Sequence, residues 1–351
     1  MNSIDGLSVT IGDLSPDGKH MWGSGGAWEP LWLLPDQVID AVRARFGHTV
    51  TTPRFLGEGL LNQSWRIDSH DESFVLRVSR PERRREQVAY EHALIRALYE
   101  PVAAVVAPLP GHDGETVQRW RRRILSLFPY IEGTLGTAVE ADIRSQQAAK
   151  TLAQVHRVSV NLGFGQRHGW RSVDEHPRLT WPTVRSVLER DLSGGADLAE
   201  LFAVFDREVS SLDAWLDDLH RSGRQLLRAP VHGDFNPRNL IFQRNNLVAV
   251  IDWDDCRIEP IAWEVAQVAF GAPDTDPTSF FRSYLDAGGA LTPGDFAHLG
   301  RFARMGALSE VQWTTHGGRA EHASPRAVDT LREVAANLAW LREREGDLEK
   351  P

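Results

Sequence analysis

The sequence predicts an α+β fold, with a small β-rich N-terminal part followed by a larger, mainly helical part. Short apolar runs separated by turn residues crowd the region from 54 to 131. Beyond it, apolar residues recur at helical spacing over long stretches, interrupted by one apolar hairpin from Leu240 to Ile251. Alternation and short runs mark strands, whereas three- and four-residue spacing marks helix faces.

Residues 1–34 mix Gly23, Gly25 and Gly26 with Trp22, Trp28 and Trp32, too irregular for a helix and too aromatic for a disordered tail. They are expected to form an N-terminal extension packed on the body. Pro35 suits a first helical turn, Val38, Val42 and Phe46 repeat every fourth residue, and Gly47 ends the pattern. A strand at Arg54–Leu56, a tight loop from Gly57 to Asn62 and a strand at Ser64–Ile67 follow, then a third strand at Phe74–Val78. Glu86 to Leu98 reads as a helix with Leu94, Ile95 and Leu98 on one face. Val105–Pro108 and Ile124–Gly133 read as the last strands and a hinge, so an N-terminal domain is drawn at 35–131 and a C-terminal one at 132–351. In the latter, Ala148, Leu152, Val155 and His156 fit a buried helix face, with His156 a core or capping residue. The Gly- and Trp-containing stretch from Leu162 to Pro182 leads into an amphipathic helix through Leu198, Phe205, Leu212 and Leu219, and helices at Phe302–Trp313 and Ala327–Leu341 close the domain.

With 351 residues the chain has room for two domains, and 42% hydrophobic with 25% charged residues describes an ordinary soluble protein. No apolar run is long enough to span a bilayer, and Met1–Gly6 lacks the basic and apolar regions of a signal peptide, so a cytoplasmic protein with no membrane partner is expected. Cys256 is the single cysteine, which excludes an internal disulfide and a multi-cysteine zinc site. A formal charge of −9 argues against a nucleic-acid surface, and the basic runs Arg83–Arg85 and Arg121–Arg123 read as solvated faces.

The chemistry is concentrated in His232-Gly233-Asp234-Phe235-Asn236-Pro237-Arg238-Asn239 and in Ile251-Asp252-Trp253. Asp234 and Asn239 stand five residues apart, the interval of the protein-kinase catalytic loop, in which the Asp accepts the attacking hydroxyl's proton and the Asn holds magnesium. Asp252 follows Asn239 by thirteen residues that read as a hairpin, which returns the chain toward its starting edge. Phosphoryl transfer needs positioning and neutralisation of charge by a hard cation, and Asn239 and Asp252 supply the oxygens that magnesium prefers. Asp234 is the expected catalytic base, with Asn239 and Asp252 as metal ligands.

With His-Gly-Asp and Ile-Asp-Trp in these places, the segment from His232 to Ala266 resembles the aminoglycoside phosphotransferase family, which includes choline kinase-like and homoserine kinase-like small-molecule kinases. The resemblance extends more weakly over about residues 50 to 345. It implies a two-lobed, protein-kinase-like fold and phosphorylation of small-molecule hydroxyls. It also implies that Gly57, Gly59 and Asn62 form a glycine-rich loop over the nucleotide phosphates, with Asn62 in place of a third glycine and tolerant of positive φ. Arg77 takes the place of the phosphate-pairing lysine, Glu91 aligns with its carboxylate partner although Glu86 lies on the same helix, and the hinge residues Phe128, Tyr130 and Ile131 are adenine-binding candidates. The chain departs from the family after Ile-Asp-Trp, with Ile258-Glu259-Pro260 and Glu264-Val265-Ala266 in place of Gly-Asp-Pro and Asp-Leu-Ala. Glu264 is expected to hold the catalytic loop through backbone hydrogen bonds.

The expected activity is an ATP- or GTP-dependent, magnesium-requiring O-phosphotransferase acting on a hydroxylated small molecule, as a monomer or homodimer without nucleic-acid partners. An antibiotic, modified to give resistance, stands beside homoserine, an amino alcohol or a sugar as acceptor, and a catalytically silent nucleotide-binding protein is the alternative of another class. A protein kinase is disfavoured because Asp-Phe-Gly and Ala-Pro-Glu are both missing. Trp170 and Trp181 are candidates to line the acceptor pocket, and Asp254, Asp255, Glu259 and Glu310 to face an amine on it.

Overall fold

A computed structural model of the chain describes residues 2–4, 7–14, 20–24, 27–50, 52–58, 62–70, 72–170, 172–173, 176–192, 196–271, 276–315 and 322–348. In chain order, strands β1 to β4 are Asn2–Ile4, Leu7–Leu14, His20–Ser24 and Ala27–Pro30, followed by helix α1, Pro35–Phe46. Next come β5 (Arg54–Glu58), β6 (Asn62–Asp68), β7 (Ser73–Ser79), α2 (Arg85–Tyr99), β8 (Gln118–Trp120), β9 (Arg123–Pro129) and β10 (Thr134–Leu135). Three helices follow, α3 (Ala141–Ser159), α4 (His176–Asp191) and α5 (Ala196–Arg221), then strand β11 (Arg228–Val231), the hairpin β12 (Leu240–Gln243) and β13 (Asn246–Val250), and β14 (Arg257–Pro260). The chain closes with α6 (Ile261–Phe270), α7 (Pro277–Asp286), α8 (Pro293–Phe296), α9 (Leu299–Ser309) and α10 (Ala327–Leu348). By internal contacts it forms two compact units, Met1–Leu135 with Leu240–Asp254, and Gly136–Asn239 with Asp255–Pro351. Among the described residues no helix is long and apolar enough to cross a membrane.

The first unit is built on an antiparallel sheet of order β5-β6-β7-β9-β8. Alternation along β7 sends Phe74, Leu76 and Val78 into the core and Val75 and Arg77 to the other face. The core also takes Phe55, Trp65, Ile67, Leu125 and Leu127 from the sheet and Val38 and Val42 from α1. In α2, Val88, Glu91, His92, Ile95 and Leu98 form the buried stripe, so Glu91 lies on the inward face and Glu86 on the exposed one. The expected hairpin is present, with Leu240 opposite Val250 and a two-residue turn at Arg244-Asn245, where Arg244 has φ 56°.

The structure departs from the sequence reading in three elements. The N-terminal segment carries a four-stranded antiparallel sheet, β1-β2-β3-β4, where no strand was expected, and Leu31 and Leu33 after it join the core of the first unit. Val105–Pro108 is not a strand: Val105 makes one parallel bridge to Val250 and Leu109 one antiparallel bridge to Leu127. Pro108 and Pro110 lack the N–H that a longer ladder needs. The stretch before the long amphipathic helix contains α4, with Pro182 inside it. An interior proline costs a helix about 3 kcal/mol, and the burial of Trp181, Val184 and Leu188 offsets it.

Leu76 is fully buried at the centre of the first unit's sheet. Leu76→Ala is expected to destabilise this unit by about 2–5 kcal/mol, through lost burial and a residual cavity. Urea denaturation followed by tryptophan fluorescence checks it; a change below about 1 kcal/mol would mean the site collapses around the smaller side chain.

Candidate active site

The first unit holds a network of two arginines and three carboxylates. Arg77, presented by β7, contacts Glu91 at 2.8 Å, Asp252 at 3.0 Å and Asp254 at 2.6 Å. Arg83, just before α2, contacts Glu91 at 2.7 Å and Asp254 at 2.5 Å. Of the two glutamates considered for Arg77, it is Glu91 that pairs with it, because the helix turns Glu86 outward.

Asn62 belongs to the same network and not to a left-handed turn. Among the described non-glycine residues only Arg121, Arg244 and Asp252 have positive φ. Asn62 is buried in β6, where its amide donates to Asp254 and its carbonyl accepts from the Ser79 hydroxyl at 3.0 Å and from Arg83 Nη1 at 3.2 Å. The run Arg83–Arg85 is likewise not one solvated face, since the Arg83 side chain is 3% exposed. Gly57 lies in β5, next to a bulge, and Gly59 lies outside the described residues.

The network divides its charge unevenly. Burial would raise the Asp254 carboxyl, but Arg77 and Arg83 overrule it and hold the group well below the usual carboxylate range. Asp252 is pushed up to about 8, first by the crowding of surrounding protein and then by the charge of Asp254, while Arg77 pulls the other way. Its side chain is nonetheless 43% exposed, and its backbone is left-handed at φ 62°, a conformation that Asp tolerates better than most residues.

Of the hinge candidates, Phe128 lies in β9 opposite Val75, with the Arg77 guanidinium 5.7 Å from its ring. Tyr130 donates its backbone N–H to Ser73 O at 2.9 Å and stacks under Arg66 at 4.0 Å, so that N–H is committed to the sheet edge. Ile131 follows it, half-buried.

The second unit holds the loop from His232 to Asn239. Asn239 Nδ2 donates to Asp234 Oδ2 at 2.8 Å and to Asp234 O at 2.9 Å, and Asn236 Nδ2 donates to Asp234 Oδ1 at 2.7 Å. The exposed Asp234 carboxylate is thus fixed by two amides, one of them buried. Gly233, at φ 87°, is where the loop turns, and a Cβ there would collide with Asp255 O. Its N–H donates to Glu264 Oε1 at 2.6 Å. Glu264 Oε2 accepts from His156 Nε2 at 2.8 Å, and His156 Nδ1 meets the Tyr284 hydroxyl at 2.8 Å, which accepts the Ala290 N–H. The extra methylene of Glu264 therefore still reaches the loop backbone. Burial opposes its ionisation, but the His156 and Gly233 donors hold its carboxyl below the ordinary value.

Of the two tryptophans proposed for the acceptor pocket, Trp181 is not free to line one. Trp181 is buried against Phe202 and Phe205, with Nε1 donating to Asp206 at 2.8 Å, and Trp170 stacks between Arg167 and Arg257. Glu259 is buried too, accepting from Arg257 at 2.8 Å and from Ser172 and Val173.

Residues 52–302 match the phosphotransferase enzyme family. A homoserine kinase of Brucella anthropi is 22% identical over 218 residues, and the alignment spans 62% of this chain and 62% of that enzyme, less than two thirds of its length. Among solved structures, a spectinomycin phosphotransferase in complex with ADP and spectinomycin superposes with a TM-score of 0.65 at 15% identity, covering 89% of this chain and 100% of that one. A microcompartment-associated aminopropanol kinase gives 0.65 at 19% identity, covering 89% and 98%. These likenesses establish the α+β, two-lobed protein-kinase-like fold.

Asp254→Ala leaves two buried guanidinium groups short of a partner and is expected to destabilise the protein by about 3–5 kcal/mol, whereas Asp252→Asn, at an exposed position that suits Asn, is expected to cost at most about 1 kcal/mol. Parallel urea titrations test this; equal costs would mean the two carboxylates share the burial. Glu264 gives a pH signature. Its folded value lies below 4.5, so its contribution is complete above pH 4.5 and is lost as the pH falls through the folded value. Glu264→Gln is expected to remove about 1–3 kcal/mol at pH 7 and to flatten the acid side of the stability curve; an unchanged acid slope would assign that slope to other groups.

Proposed function

The chain belongs to the phosphotransferase enzyme family, and from that premise we propose that it transfers the γ-phosphoryl group of ATP or GTP to a hydroxyl of a small molecule in the cytoplasm. The observation that carries this reading is the Asp234 carboxylate, exposed, clamped by Asn236 and Asn239, and set on a loop whose backbone Glu264 anchors. Nothing in phosphoryl transfer demands a covalent enzyme intermediate; it demands that the attacking oxygen be aligned and its proton accepted.

The acceptor oxygen bonds to the γ-phosphorus as the bond from that phosphorus to the β–γ bridging oxygen breaks. The hydroxyl proton passes to Asp234, and the nucleoside diphosphate leaves. Asn236 and Asn239 hold the carboxylate in one orientation through this step. Arg77 is assigned to the nucleotide phosphates, with Glu91 holding its guanidinium in place, and the strand and loop bearing Gly57, Gly59 and Asn62 to their cover. Phe128, Tyr130 and Ile131 are assigned to the adenine side, where the committed Tyr130 N–H leaves carbonyl oxygens and ring faces for recognition.

Asn239 in the second unit and Asp252 in the first each carry an oxygen of the kind a hard divalent cation takes. The Asn239 Nδ2 group donates to Asp234, which leaves its Oδ1 as a ligand atom, and the Asp252 side chain, whose Oδ1 accepts from Arg77, is a carboxyl of the kind such a cation takes. Magnesium, for which each of these residues is a proposed ligand, would supply neutralisation of the phosphate oxygens.

The acceptor is proposed at the level of class, a hydroxylated small molecule. Both natural-product antibiotics and small amino alcohols or amino acids are consistent with it, since relatives and fold neighbours include a spectinomycin phosphotransferase, an aminopropanol kinase and a homoserine kinase.

Asp234→Ala is expected to lower kcat by a factor of about 10²–10⁴ while leaving nucleotide affinity nearly unchanged. The check is mass-spectrometric detection of one added phosphoryl group across antibiotics, amino alcohols, sugars and nucleosides, together with nucleotide titration. Undiminished turnover in the variant would remove Asp234 from the role of base.

A further inference from the structure

After β7 the chain turns through Arg80-Pro81-Glu82-Arg83, where the Arg83 N–H donates to Arg80 O at 3.0 Å and Pro81 takes the second place of the turn. The turn sets Arg83 just before α2, with its side chain 3% exposed against 12% for Arg77. Glu91 offers Oε1 to Arg77 at 2.8 Å and Oε2 to Arg83 at 2.7 Å. Asp254 offers Oδ2 to Arg77 at 2.6 Å and Oδ1 to Arg83 at 2.5 Å. These four side chains close a ring in which cation and anion alternate and each carboxylate bridges both arginines. Asn62 braces its deeper side, accepting from Arg83 and donating to Asp254. Asp252 stands outside the ring, on Arg77 Nη2 at 3.0 Å.

A guanidinium presents five N–H donors in a fixed plane, so one arginine can satisfy two carboxylates at once. Arg77 faces three, and a cation held by three fixed anions is poorly placed to take a phosphate. If it did move toward an incoming phosphate, Glu91 and Asp254 would lose a partner inside the unit, and an unpaired buried charge is far more costly than an unpaired surface one. Arg83 removes that cost. It keeps a cation on both carboxylates whether or not Arg77 stays, so the less buried arginine can be released while the more buried one remains.

We propose that Arg83 is a positioning residue for nucleotide binding: it is the permanent counter-ion of Glu91 and Asp254, and it thereby frees the Arg77 guanidinium to engage the phosphates of a nucleoside triphosphate. Arg83 acts through Arg77 and through the two carboxylates they share. This rests on the phosphotransferase reading, which assigns Arg77 to the phosphates. Two consequences set it apart from a role in packing. Loss of Arg83 weakens phosphate-bearing ligands and spares the nucleoside, which makes no demand on Arg77. Neutralising one shared carboxylate repairs the loss, because two cations face three anions in the native network, one faces three in Arg83→Gln, and one faces two once Asp254→Asn is added.

The test is calorimetric titration of the full chain, in magnesium, with non-hydrolysable ATP and GTP analogues, each paired with its nucleoside. The native protein is expected to prefer a triphosphate analogue to its nucleoside. Arg83→Gln should cut that preference about tenfold, and Asp254→Asn added to it should restore the preference, a coupling read as a double-mutant cycle. A preference unchanged in Arg83→Gln would overturn the proposal. So would a preference lost there and not restored in the double variant, since removing a further buried side chain does not repair a packing defect. Where circular dichroism shows Arg83→Gln unfolded, the same comparison is made with Arg83→Lys, which keeps the charge but lacks the fork that bridges both carboxylates, alone and with Asp254→Asn. Native protein that binds neither triphosphate analogue would remove the phosphotransferase reading and this proposal with it, whereas native binding indifferent to Arg83 would remove this proposal alone.

Discussion

The first unit depends on keeping two guanidinium groups charged inside it. Removing ions from water carries a large desolvation cost, recovered only where geometry and further hydrogen bonds are good. Arg77 and Arg83 bring two positive charges, and Glu91, Asp252 and Asp254 bring three negative ones. The carboxylates come from two places: Glu91 from α2, and Asp252 and Asp254 from the segment after β13. The strand, the helix and the exit of the hairpin must therefore reach their native positions together. Asn62 adds β6 to the same requirement, since its amide and carbonyl are both committed to the network. The surplus negative charge raises the carboxyl of the member nearest solvent. Asp254 is held ionised by two arginines, and Asp252, 43% exposed, has its carboxyl pushed up to about 8.

The second unit solves a different problem, fixing a loop too short to fix itself. Gly233 must turn with positive φ close under Asp255, which only glycine does without collision. The turn leaves its N–H pointing inward, and Glu264 accepts it. That carboxylate is in turn fixed by His156, and His156 by Tyr284, so α3, α6 and α7 all bear on the backbone next to Asp234. Buried polar chains of this kind are costly when one member is missing and rigid when complete. The rigidity reaches Asp234 through one residue of backbone, while Asn239 and Asn236 fix its side chain directly.

How much of this was legible followed from the range of each interaction. The loop from His232 to Asn239 and the hairpin could be read as local structure because their residues are close in sequence, and periodicity alone could have separated Glu91 from Glu86, since only Glu91 falls on the apolar stripe of α2. The role of Arg83 could not be read. It stands in a basic run beside two exposed arginines, and its partner Asp254 lies 171 residues away. Asn62 was misassigned for a related reason: a polar residue ending a glycine-containing loop looks like a turn residue, and only its burial beside Asp254 shows otherwise. α4 was hidden by Pro182, a local penalty that burial of its neighbours overrides.

The cavity lined by α6, α9 and α10 was the least legible because it is assembled from helices far apart in the chain, with single polar groups from each. What the fold does expose is an electrostatic imbalance. Like charges placed near one another raise the free energy of a folded protein, and salt screens them only where solvent reaches. Crowding raises the Glu310 carboxyl above its ordinary value and the charge of Asp234 raises it further, with no arginine or lysine among the cavity-lining residues to offset it. Stability alone would favour a neutral residue at 310, exposed as it is.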